Sequence, residues 1–119
     1  MPEHVKQALR ELRRDHRGTA TLMEKQAGGL DTAARIEPDP LLRASHQAAV
    51  NIWPSLIAEY RAIADAADDH LRRDDMSPDE FAALRHRTDI VEAKILALEA
   101  EILDAAEGLI RRVESASKA

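Results

Sequence analysis

The sequence contains no cysteine, which removes disulfides, thiolate metal sites and cysteine nucleophiles at once. Aromatic residues are nearly as scarce, with one Trp, one Tyr and one Phe at positions 53, 60 and 81. Any core must therefore be built from Ala, Leu, Ile and Val. Four glycines and five prolines in 119 residues are too few for a turn-rich β fold. A positive field is missing too: 17 Lys and Arg stand against 22 Asp and Glu, a net charge of −5. Such a chain lacks the electrostatic term that dominates nucleic-acid affinity. The one basic run, Arg10, Arg13, Arg14 and Arg17, is interleaved with Glu11 and Asp15 and reads as a solvated helix face. No apolar stretch approaches the ~18 residues of a membrane span. The polar opening of Pro2, Glu3, His4, Lys6 and Gln7 does not have the pattern of a signal peptide. These absences predict a cytoplasmic protein that binds neither nucleic acid nor membrane.

What is present is a high apolar content, 45%, beside 33% charged residues, enough to bury a core and keep a polar surface. The length fits one helical domain over residues 1–119. Val5, Leu9, Leu12, His16, Thr19, Met23, Ala27 and Leu30 follow one another in steps of four and three, the seam of a helix packed lengthwise. Gly28 and Gly29 come next and read as its stop, so the first helix is expected over 3–27. Residues 31–40 read as a connector closed by Pro38 and Pro40.

Asp39 followed by Pro40 is a start signal, a capping carboxylate with proline at the first helical position. The second helix is expected over about 40–73 with two adjacent stripes. One is Leu41, Ser45, Ala48, Ile52, Leu56, Ile63 and Ala67; the other is His46, Val50, Trp53, Ile57, Tyr60, Ala64 and Leu71. Pro54 lies inside, where either the helix kinks or Asn51 caps a new helix with Pro54 in its first turn; the kink is the favoured reading, because the periodicity keeps its phase across it. Ser77, Pro78 and Glu80 form a capping box. The third helix follows, with a seam of Phe81, Leu84, Thr88, Val91, Ile95, Leu98, Ile102, Ala105, Leu109 and Val113. Leu96, Leu103 and Ile110 recur every seven residues beside that seam.

The fold class is thus all-α, an antiparallel bundle of three long helices completed by dimerisation. The reason for the second copy is area. A third helix of about 37 residues is some 55 Å long, and such rods leave more apolar side surface than a soluble monomer normally shows. A two-fold homodimer on helices two and three buries it, with Trp53, Ile57, Tyr60, Leu96, Leu103 and Ile110 as the expected interface.

Among candidate sites, His16 stands in a seam position that calls for an apolar residue. It is expected to be buried and structural, in a polar layer with Thr19 and Thr88 that fixes register; the competing role is a metal ligand in a helical bundle. Leu9-Arg10-Glu11-Leu12-Arg13-Arg14-Asp15-His16-Arg17 resembles the first helix of hemerythrin-like proteins, and the resemblance implies an iron ligand from the Asp15-His16 pair. It covers about fifteen residues and departs from that family further on. His46 is followed at the fourth position by Val50 and His86 by Ile90; only His70 with Asp74 has a carboxylate at the family's His-x-x-x-Glu spacing. A metal, iron or zinc, would then fall to His16, His46, His70 and Asp74, while His86 lies off the seam and is expected in solvent. The acidic run Asp65, Asp68, Asp69, Asp74 and Asp75 has no calcium-loop spacing and reads as a solvated helix end. Glu101-x-x-Asp104 resembles half of the magnesium-holding pair of all-α nucleotide pyrophosphohydrolases, without the upstream glutamates.

No glycine-rich phosphate loop or serine elbow is present, so no catalytic residue and no cofactor is assigned. The leading reading is a non-enzymatic helical interaction or regulatory module that self-associates, with a further protein partner possible. The alternative is a metal- or small-ligand-binding bundle centred on His16.

Overall fold

The computed structural model describes residues 1–118 and is all-α, with helices α1 (Glu3–Ile36), α2 (Pro40–Arg73) and α3 (Pro78–Lys118). Successive helices run antiparallel. Arg112 of α3 reaches Asp39 at the start of α2 (2.8 Å), and Arg87 reaches Glu59 further along (2.8 Å). On the other flank, Arg13 of α1 meets Asp68 of α2 (2.6 Å). The α2 helix is central: no Cα of α1 comes within 8 Å of a Cα of α3. The molecule measures 68 × 23 × 17 Å with a radius of gyration of 19.1 Å, against about 13.5 Å for a compact chain of this length.

Helix α1 corrects the expected boundary. It passes through Gly28 and Gly29 and ends at Ile36. Neither glycine takes the left-handed conformation that a glycine stop requires. Thr32 donates to the Gly28 carbonyl (2.9 Å), Arg35 pairs with Asp31 (3.1 Å), and Ala34 is buried. These contacts offset the roughly 1 kcal/mol that each interior glycine costs. The actual stop is Pro38, which forces Glu37 into an extended conformation (φ −67°, ψ 115°).

Helix α2 begins and ends where the sequence places it. Asp39 caps it by accepting from the Leu42 amide (3.0 Å), and that amide, followed by Arg112, holds its carboxyl below the usual carboxylate range. The helix continues through Pro54 without splitting. Its inward stripe is shifted by one residue near the start. Leu42 and Ala49 are buried while Leu41 and Ala48 are exposed, because the heptad 42-49-56-63 keeps one ridge between two flanking helices. At the far end, Asp74 takes the left-handed conformation (φ 52°) and leads into the capping box. There Ser77 Oγ accepts from the Glu80 amide (3.1 Å) and Glu80 accepts from the Ser77 amide (2.9 Å).

The core runs along α2 and is filled by Leu9, Met23, Leu56, Ile57, Tyr60, Ile63, Leu84 and Val91. It is concentrated toward the α2–α3 turn. Beyond Val91 no residue of α3 is fully buried, and the seam from Ile95 to Leu109 is only half-covered.

Candidate functional site

His16 is buried, as its seam position predicts, with 8% of its surface exposed. Its Nε2 shares a hydrogen bond of 2.8 Å with Thr88 Oγ1, and Thr88 Oγ1 donates to the Leu84 carbonyl (3.1 Å). The ring stands edge-on to Tyr60 at 5.2 Å between centroids. Burial pushes the imidazole below its usual pKa; a hydrogen bond with the Leu12 backbone and the charges of Glu92 and Asp15 offset this in part. Burial likewise raises the Tyr60 phenol. Thr88 belongs to this polar layer, whereas Thr19 makes no side-chain hydrogen bond to it.

The other histidines lie elsewhere. His46 and His70 sit on one continuous helix, about 36 Å apart. His46 is half-buried and its Nδ1 has no partner. His70 is buried and clamps the α2–α3 turn, its Nδ1 lying 2.9 Å from the Asp75 carbonyl oxygen. Asp74 turns the other way, to Lys6 (3.3 Å) and the Met1 amino group (3.6 Å). His86 is exposed. Among the described residues, no three His, Asp or Glu side chains converge as a metal site would require.

Part of the basic run of α1 meets part of the acidic run of α2, while Arg10 and Arg14 pair with Glu3 and Asp15 on α1 itself. Arg13 donates to Asp68 and Arg17 lies 3.7 Å from Asp65, whereas Asp69 is shared by Arg72 and Arg73 of its own helix. The bond from Arg13, ahead of the charges of Arg13, Arg17 and Arg72, holds the Asp68 carboxyl below its usual range. The Arg13 and Arg17 pairs tie α1 to α2 at this level.

The six expected interface residues divide into two groups. Ile57 and Tyr60 are buried inside the chain, and Trp53 is half-buried with Nε1 donating to the Met23 carbonyl (2.8 Å). The second apolar stripe of α2 is therefore used to hold α1. Leu96 (64% exposed), Leu103 (58%) and Ile110 (56%) of α3 face solvent, and Val113 (56%) extends the row. Sequence reasoning missed that α1 also exposes Leu22 and Ile36. The available signal was spacing, because Leu22 lies on one face with Gln26 and Gly29. That face borders a groove of about 460 Å³ between α1 and α3, lined by Gln26, Gly29, Leu30, Trp53, Ile95 and Ile102 among others. No side chain in it is arranged as a nucleophile, base or ligand set. No described helix is long and apolar enough to cross a membrane. Comparison with protein families, with curated proteins and with solved structures returns no match.

Proposed function

We propose that this chain is a helical interaction module that self-associates through the apolar face of its third helix and carries no catalytic centre. The observation that bears most weight is the uncovered row Leu96, Leu103, Ile110 and Val113 on a helix that reaches its neighbours with only one of its faces. Isolated surface leucines need no explanation; a row repeating every seven residues beside a half-open groove does. The scale of the exposure supports the same reading. The chain exposes 7549 Å², whereas a compact chain of 13.2 kDa exposes about 6,400 Å². The surplus of roughly 1,100 Å² exceeds the ~800 Å² that each partner contributes to a standard interface.

His16 fits a structural role in this reading. Thr88 and Tyr60 occupy its polar and apolar sides, leaving a ring that sets register between α1 and α3. The test is the mass in solution. Light scattering on protein eluting from a sizing column at micromolar concentration is expected to give twice the 13.2 kDa of one chain. A mass of one chain across the accessible concentration range overturns the reading.

A further inference from the structure

We propose that the face on α3 docks on a glycine-containing face of α1 that carries Lys25, in a second copy of this chain, so that two copies clasp each other through α1–α3 contacts made twice. The inference rests on the self-association reading and adds the surface, the orientation and the partner helix.

Three helices around a central α2 occupy three corners of a four-helix cross-section. Because α1 and α3 nowhere approach within 8 Å at their Cα atoms, the fourth corner is open. His16 and Thr88 bridge its side, and further along lies the groove lined by Leu30 and Ile102. The apolar row on α3 could meet either α3 or α1 of a second copy, and charge separates these two.

The exposed face of α3 is acidic as well as apolar. Glu92 and Glu99 flank Leu96, and Glu107 lies four residues beyond Leu103; none of these carboxylates has an ion pair among the described residues. Packing α3 on its own copy would set these glutamates against glutamates in desolvated surroundings, which is costly. The outward face of α1 offers the complement. Gly18, Leu22, Lys25 and Gly29 follow at i, i+4, i+7 and i+11, one stripe of a helix. All four are exposed, and the Lys25 ammonium forms no ion pair among the described residues. A Cβ added at Gly18 or Gly29 would meet nothing within 4 Å, so packing inside the chain does not call for glycine at either site. Close approach of a second backbone does.

Gly29 and Ile102 line the same groove and are therefore level. A two-fold axis at that height brings the partner's α3 antiparallel along α1, with Leu22 near Ile110 of the second copy and Lys25 near its Glu107. The closed contact is isologous and does not propagate.

The absence of cysteine gives a clean cross-linking test. Leu22→Cys and Ile110→Cys chains are mixed and treated with a short bismaleimide, with Ala62→Cys on the outer side of α2 as control. Cross-linking between Leu22→Cys and Ile110→Cys that exceeds either variant with itself is the expected result. Preferential joining of Ile110→Cys to itself in a dimer of native mass places α3 against α3; it overturns this inference while leaving self-association standing. A second measurement does not depend on cross-linker geometry. Lys25→Glu and Glu107→Lys should each weaken the dimer several-fold with the helical circular dichroism unchanged, and the double exchange should recover it. Failure of the double exchange to recover what the single changes lose counts against the pairing. A monomeric mass for the unmodified chain overturns this inference together with the reading beneath it.

Discussion

His16 of α1 and Thr88 of α3 share a hydrogen bond of 2.8 Å, the single side-chain hydrogen bond joining these two helices among the described residues. It spans the side of the bundle where the backbones stay apart. Two flexible apolar side chains would fill that space without fixing which turn of α1 faces which turn of α3, whereas a directional bond fixes it.

His16→Gln should keep the helical fold and lower unfolding stability by about 1–2 kcal/mol, because the amide restores only part of the bonding to Thr88 and loses the packing on Tyr60. Denaturant unfolding followed by circular dichroism checks this. An unchanged midpoint would remove His16 from the register-setting layer.

The same residue predicts a pH dependence. Burial lowers the pKa of His16 in the folded chain, from a reference value of 6.5, so between its folded and unfolded pKa the unfolded chain binds more protons. The stabilisation is complete above about pH 6.5 and is lost as the pH falls from there toward the lower folded value. The unfolding midpoint should decline through this window and be flatter in His16→Gln. Asp39, Asp68, Asp74, Glu3 and Glu80, whose pKa values are also depressed, weaken the fold only in the more acidic range. A profile that is identical in both proteins above pH 5 would count against this assignment.

Pro54→Ala should stabilise the protein. Pro54 is exposed in the middle of a continuous helix and cannot donate to the Val50 carbonyl, a defect that costs up to about 3 kcal/mol in a helix interior. A gain of about 1–3 kcal/mol in denaturant unfolding is expected. A loss would show that proline at this position helps to seat Trp53 on Met23.

Gly28→Ala should also stabilise, by up to about 1 kcal/mol. A Cβ there meets nothing within 4 Å and the residue is helical. In a domain of this size that amounts to a rise in Tm of about 4–6 °C, readable by scanning calorimetry.

His70→Ala should destabilise by about 1–3 kcal/mol, since it removes the partner of the Asp75 carbonyl at the α2–α3 turn. Faster hydrogen exchange confined to residues near 74–82, with the α1–α2 turn unaffected, would mark the effect as local to this clamp.

Much of the architecture was legible because its signals are local. Asp39-Pro40 and Ser77-Pro78-Asp79-Glu80 set the starts of α2 and α3 through bonds reaching three residues, and Pro38 and Asp74 ended helices through backbone sterics. The seams that carry Leu9, Ile63, Leu84 and Val91 into the core follow from the helical period. Gly28-Gly29 misled because a glycine stop depends on whether packing further on repays continuing the helix, and that packing comes from α2. The acidic and basic runs looked like two solvated faces for a similar reason: sequence alone does not show that Arg13 lies beside Asp68.

The sequence by itself determined the helices, their number, most of their ends, and that His16 would be buried. These follow from hydrogen bonds and periodicities that close within a few residues. Only the tertiary structure decided which apolar stripe faces which neighbour. Trp53, Ile57 and Tyr60, in steps of four and three, and Leu96, Leu103 and Ile110, in steps of seven, each mark an apolar stripe of a helix, yet the first three hold α1 and the last three meet water. Periodicity reports that a face is apolar, not what covers it. That depends on where α1 and α3 sit around α2, and on the gap their backbones leave between them.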